Sequence, residues 1–362
     1  MHFSLASIAP AAILLMASTA QACVNFGSVT SYDNGQMDGG ITDNGAHTCT
    51  INTVPGFSGG TAEENAFWPV NCITGYSATV RNKGTEVAYC NPTGGLAIRY
   101  KISAPAELFT TASGVPGGAA TAATAGQNGL NVLLHGDGGQ SFVDFPNQAV
   151  QGGLMGVVVL APDENLFWGG GSGLDRTDGV EHSAAVNTLI QEQLPQDVAF
   201  DPANVFFTGV SGGALMLSGF FMPAFGAAYK TGVMLNCGAL APQVAVVDAA
   251  TLAASTRIHF QSTQNELALL QPAIPEAVAA YESLAADAGL SAAEVGALQT
   301  VDASPAGGHC EFDEQGFVSG VQLMADSFAD VMLAGGSGQV GGIGNVLTTV
   351  VGNEDINFGA PS

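Results

Sequence analysis

The sequence predicts an α/β fold, a mostly parallel sheet with helices on both faces, preceded by a small disulfide-rich β module. Two observations carry that prediction. From Leu96 onward, short β-branched runs alternate with apolar stretches of helix length, the rhythm of parallel strands joined by crossover helices. Within it, Val205-Phe206-Phe207-Thr208 runs into Gly209-Val210-Ser211-Gly212-Gly213 and then Ala214-Leu215-Met216-Leu217, so strand, glycine turn and helix follow one another.

Strands are expected at Leu96–Ser103, Asn131–His135, Gly156–Ala161, Asn204–Thr208, Gly232–Asn236, Arg257–Ser262 and Ala297–Val301, with helices at 178–194, 213–224, 274–288 and 319–334. Residues 111–127, rich in Thr, Ala, Gly, Ser and Pro, read as a surface loop. The main α/β domain is expected to span 96–335, and 336–362 reads as a Gly-rich flexible tail. Gly336-Ser337-Gly338-Gln339-Val340-Gly341 has the spacing of a dinucleotide-binding loop, but it follows a helix and opens none, so no such site is expected.

Ahead of this domain, residues 1–22 have the form of a secretory signal: an apolar stretch from Ile8 to Ser18, then Ala20-Gln21-Ala22 as a small-residue cleavage site. The alternative is a buried first helix. No later segment is apolar enough to span a bilayer, so a secreted product is expected, with no membrane partner. Residues 23–95 carry four cysteines and short alternating runs, the mark of a stapled β module. Ala78–Arg81 and Thr85–Tyr89 flank Asn82-Lys83-Gly84 and read as a hairpin. All six cysteines lie past the cleavage site, and none of their spacings is a zinc pattern. Cys23, as the first mature residue, is open to lipidation or to a disulfide, and Ala-Gln-Ala favours the disulfide. Cys237 directly follows one strand and Cys310 directly follows His309, so both fall at the carboxyl edge of one sheet and are expected to pair. Cys23, Cys49, Cys72 and Cys90 are then left to pair within the module.

The chain has 362 residues, 47% of them hydrophobic, enough for one large core without a metal. Its 31 acidic residues against 7 basic ones give a net charge of −24, which repels phosphate backbones and excludes nucleic acid as a partner. A monomer is expected, and no cofactor.

Ser211 has the context of a nucleophile. In a turn this tight, side chains at the flanking positions collide, and the turn lifts the hydroxyl out of the sheet edge while the N–H of Gly212 faces a developing oxyanion. Upstream, the apolar run Asn131–Leu134 ends in His135-Gly136-Asp137-Gly138-Gly139, whose glycines let the amide of Asp137, or of Gly138, supply a second donor. His135 itself reads as structural. The base is expected after the last strand, where Gly307-Gly308-His309 sits on a glycine turn before the final helix. The other histidines fall in the leader (His2), the module (His47), a helix (His182) and a strand (His259). The acid should follow Arg257–Ser262, and Glu266 is the carboxylate there, with Asn265 at the neighbouring position and Asp302 as the alternative.

These residues, together with Pro162-Asp163, Trp168-Gly169, Asp175 to Asp178 and Asp201-Pro202-Ala203-Asn204, resemble the extracellular polyhydroxybutyrate depolymerase and feruloyl esterase group of α/β-hydrolases over residues 96 to 330. The resemblance implies a carboxylic-ester hydrolase with a Ser–acid–His mechanism, acting on a polyester, a feruloyl or acetyl polysaccharide ester, or a small ester. A serine peptidase on the same fold and a binding protein that kept the scaffold are the other classes.

Overall fold

A computed structural model describes residues 24–30, 37–43, 46–53, 56–57, 66–68, 71–72, 80–81, 87–90, 96 and 98–362, apart from 143–145 and 148–149. Residues 1–22, expected to be a leader, Cys23 and the turn Asn82-Lys83-Gly84 lie outside the described residues.

One twisted sheet organises the chain. Across its larger part the order is Val87–Cys90, Ile98–Ser103, Leu154–Leu160, Gly129–Leu134, Val205–Val210, Gly232–Asn236, Arg257–Gln261, Gln299–Asp302 and Thr348–Thr349. The six strands from Leu154–Leu160 to Gln299–Asp302 run parallel, and Ile98–Ser103 is antiparallel to its neighbour Leu154–Leu160. Parallel strands need crossovers, and from Leu154–Leu160 onward each crossover lays a helix on a face, so the central strands are buried on both sides. Gly129–Leu134 and Leu154–Leu160 are buried at every position. On one face Leu130, Val132, Val157, Phe207 and Val233 pack beneath Val186, Phe221 and Tyr281 of covering helices. On the other, Leu133, Val158, Val210 and Met234 meet Val321, Met324 and Phe328. The two-residue alternation of a strand is what sends neighbours into different cores.

All seven expected central strands are present within a few residues of their predicted limits. Two helices, Ala249–Ser255 and Ala292–Leu298, join the four expected ones. The stretch Gly212–Tyr229 is, by length and composition, apolar enough to cross a membrane, contrary to the sequence reading, and most of it is buried inside the domain. Its middle part, Leu217–Gly226, widens to a π-helix around Pro223, which has no N–H to give to the helical ladder.

Three further expectations are corrected. Residues 336–362 are no loose tail: Thr348–Thr349 pairs antiparallel with Gln299–Asp302, and Val346 and Val350 are completely buried. Strands of two residues leave no periodicity to read, so only the glycines stood out. In the N-terminal region, Val80–Arg81 pairs with Ala66–Trp68, whereas Val87–Cys90 pairs with Val24–Thr30 and Ile98–Ser103, so the two do not form a hairpin. And Val24–Thr30, Met37–Asp43, Ala46–Thr53 and Asn71–Cys72 extend the edge of the same sheet instead of packing on it as a separate body. Cys49 is disulfide-bonded and stands opposite Cys72 in register.

The core also holds polar groups whose ionisation reports folding. His135 and His259 are fully buried, and burial pushes both imidazoles down to about 4. The unfolded chain binds protons below about pH 6.5 while these folded rings resist until about 4, so their contribution is complete above 6.5 and is lost as pH falls through 4. Each is worth roughly 3 kcal/mol. Asp197, pushed up to about 6 by burial beneath Tyr100, acts in the opposite sense, its contribution being lost as pH rises through 6, and offsets about half of this. We predict that the urea midpoint falls between pH 7 and pH 4 and that His259→Gln flattens the fall. Equal slopes in wild type and His259→Gln contradict the assignment.

Candidate active site

Because the central strands are parallel, the segments that follow them emerge along one edge. Gly129–Leu134 has the next strand in sequence, Leu154–Leu160, on one side and Val205–Val210 on the other, so strand order reverses between Gly129–Leu134 and Val205–Val210. Loops diverge at such a point and leave a crevice at the carboxyl ends. Into it project the His135–Gly139 loop, the Ser211 turn, the Glu266 loop after Arg257–Gln261 and the His309 loop after Gln299–Asp302.

The Ser211 turn is fixed by sterics. Ser211 itself has φ 50° and ψ −114°, a conformation that L-residues avoid. A side chain at Gly209 would lie 2.5 Å from Ala214 Cα, and one at Gly213 would lie 2.0 Å from the Leu134 carbonyl oxygen. The Ser211 N–H donates to Asn236 O at 2.8 Å, which ties the turn to the adjacent strand. Strand, turn and helix here form the nucleophile elbow that the glycine pattern predicts.

Ser211 Oγ stands 2.9 Å from His309 Nε2, and His309 Nδ1 stands 2.6 Å from Glu266 Oε2. The glutamate side chain is fully buried, and the histidine side chain is partly buried, 17% exposed. A carboxylate accepts, so Nδ1 carries the proton and Nε2 presents its lone pair to the serine hydroxyl. The other carboxylate oxygen accepts from the Thr263 N–H and hydroxyl, at 3.4 and 3.3 Å. The Thr263 hydroxyl also lies 2.9 Å from Gly308 O, so one residue braces both the acid and the histidine loop. Asp302, the alternative acid, accepts instead from Gln261 Nε2 at 2.6 Å and from the Ser304 N–H. Asn265 Nδ2 donates to Ala360 O. The geometry therefore brings together Ser211, His309 and Glu266 and leaves Asp302 and Asn265 out.

The oxyanion side narrows as well. The Gly138 N–H donates to Leu166 O at 3.1 Å, which removes it from the candidates and leaves Asp137. Gly212 is the first residue of its helix, where N–H groups have no intrahelical acceptor. His135 spends both ring nitrogens on backbone, Nδ1 on Gly136 O and Nε2 on the Ala161 N–H, so it shapes the loop and moves no proton. His182 likewise accepts from the Gly169 N–H.

Sequence reasoning missed Arg176. Its guanidinium grips the Asp137 carboxylate with two bonds, Nη1–Oδ1 at 2.8 Å and Nη2–Oδ2 at 2.7 Å, and also donates to Trp168 O. The available signal was scarcity: an arginine between two aspartates nearby, in a chain with only 7 basic residues.

Cys237 and Cys310 are joined as expected, with Cα atoms 5.2 Å apart. Both are buried, and the bridge anchors the residue after His309 to the residue after the Gly232–Asn236 strand.

Sheet order, elbow and site together make this an α/β-hydrolase fold. No family model and no curated protein sequence matches the chain. Among solved structures it is similar to prolyl oligopeptidase B from Galerina marginata, at 11% identity over 81% of this chain and 46% of that one, TM-score 0.39. It is similar also to the Pyrococcus horikoshii acylaminoacyl peptidase, at 12% identity over 87% of this chain and 56% of that one, TM-score 0.39. A thermophilic esterase from Thermogutta terrifontis, Est2, matches at 10% identity over 70% of this chain and 95% of that one, TM-score 0.39. The chain thus spans about half the length of the two peptidases.

The bridge closes a loop across 73 positions, so replacing both cysteines by alanine is predicted to cost roughly 4 kcal/mol of stability and to lower turnover by freeing His309. Chemical denaturation together with steady-state rates checks this. A double variant with wild-type stability and rate overturns it.

Proposed function

We propose that this chain is a serine hydrolase that cleaves carboxylic esters through an acyl-enzyme. The observation that carries the proposal is the continuous line Ser211 Oγ, His309 Nε2, His309 Nδ1, Glu266 Oε2, at 2.9 and 2.6 Å. Both contacts fall within hydrogen-bonding reach, the first for proton transfer from the serine to the histidine and the second for orienting the histidine.

In this mechanism Ser211 Oγ attacks the ester carbonyl while His309 Nε2 takes its proton. The imidazolium that forms is held by Glu266, whose burial away from water strengthens the pairing. The amides of Gly212 and Asp137 donate to the tetrahedral oxyanion, a contribution typically worth about a hundred- to a thousand-fold per donor. His309 then gives its proton to the departing alcohol. Water repeats the sequence on the acyl-enzyme and releases the acid.

The ester assignment rests on a residue pattern that resembles that of polyhydroxybutyrate depolymerases and feruloyl esterases, so polyesters, feruloyl or acetyl polysaccharide esters and small esters are the substrates to test. We propose further that the protein acts outside the cell, in keeping with the leader-like start and the disulfides, and that it is a monomer.

Ser211→Ala and His309→Ala are each predicted to abolish ester turnover, by on the order of a million-fold, in folded protein, and the double variant to lose little more. Glu266→Gln should cost about ten-thousand-fold, and Asp302→Asn far less. Rates on p-nitrophenyl, feruloyl, acetyl-xylan, polyhydroxyalkanoate and peptide substrates decide the matter. Turnover of peptides alone moves the protein to the peptidases. Active Ser211→Ala protein refutes the mechanism.

A further inference from the structure

The ion pair between Arg176 and Asp137 has a consequence for charge in the site. The Asp137 carboxylate lies against Gly212: a side chain added there would meet Asp137 Oδ1 at 1.9 Å. A formal negative charge therefore lies directly against the residue whose amide faces the oxyanion, and Asp137 supplies the other amide. A second negative charge developing there during acyl transfer would be opposed by the first.

Arg176 meets that carboxylate with the two-pronged geometry that matches guanidinium to carboxylate. Its side chain is 1% exposed, against 25% for Asp137. Ordering and desolvating an arginine this completely is costly, and a surface pair would give little in return. The chain nevertheless commits one of its 7 basic residues here. The anchor is itself rigid. Arg176 Nη1 holds Trp168 O at 3.0 Å, the Trp168 ring lies 5.5 Å from the His135 ring, and His135 clamps the start of the oxyanion loop.

We propose that Arg176 is a positioning residue for acyl transfer, acting through Asp137: it cancels the carboxylate charge beside the oxyanion and fixes the turn that aims the Asp137 amide. The proposal rests on the serine-hydrolase reading. Its mark is that removing the arginine harms the reaction mainly because it leaves the aspartate charged and unpaired. Neutralising the aspartate should then restore much of the loss.

The test uses the full chain and two readouts: kcat and KM on a p-nitrophenyl ester, and the rate at which a fluorophosphonate labels Ser211. Arg176→Met is expected to lower kcat and the labelling rate by about a hundredfold with KM changed little, as for a like charge close to the transition state. Asp137→Asn/Arg176→Met should recover at least tenfold of that loss, and Arg176→Lys, which keeps the charge, should stay within about tenfold of wild type. A double variant as slow as Arg176→Met, or Arg176→Met at the wild-type rate, overturns the proposal. Should Arg176→Met not fold, the double variant is compared with Asp137→Asn alone. Rates within tenfold support neutralisation, and a further hundredfold loss overturns it. Wild-type protein that neither turns over esters nor takes the fluorophosphonate fails the serine-hydrolase reading instead, a result distinct from any of these.

Discussion

The structure turns on one constraint, the absence of space around Ser211. The chain leaves the Val205–Val210 strand and enters a helix in so few residues that Ser211 takes a positive φ, and Gly209 and Gly213 have backbone where side chains would otherwise stand. Such strain persists only where the surroundings over-determine it. Here the surroundings are a strand buried almost throughout, the bond from Ser211 N–H to Asn236 O, and the apolar Gly212–Tyr229 stretch sunk in the core. The core fixes the turn, and the turn presents the hydroxyl.

The remaining site residues reach Ser211 because parallel strands deliver their following loops to one edge. Each loop is then braced separately. Thr263 links the acid to the histidine loop, Cys310 ties that loop to Cys237, and Arg176 with His135 secures the oxyanion loop. The last segment of the chain contributes as well: the Gly359 N–H donates to Gln264 O, two residues before Glu266. Mobility is thereby removed from loops that carry strongly directional chemistry.

What the sequence disclosed and what it hid follow from the range of the forces involved. Gly209 to Gly213 could be read because the steric demand is local and only glycine meets it. The central strands could be read because double-sided burial demands unbroken apolar runs. Chain order and the Gly307-Gly308 turn placed His309, and order ranked Glu266 above Asp302 without excluding the latter, since the choice depends on which carboxylate the histidine loop meets. Gly138 could not be separated from Asp137 until the Leu166 carbonyl was seen to occupy its N–H. Arg176 lies 39 positions from its partner, and Thr348–Thr349 finds its strand only in three dimensions. Neither leaves a local pattern.

The claim that Ser211 forms a covalent acyl intermediate is tested most directly by acid-quenching the protein during turnover of a p-nitrophenyl ester and measuring its intact mass and peptide map. The account predicts a mass increase equal to the acyl group, located on the peptide containing Ser211 and absent from Ser211→Ala. Turnover under the same conditions with the acyl group on another residue contradicts it.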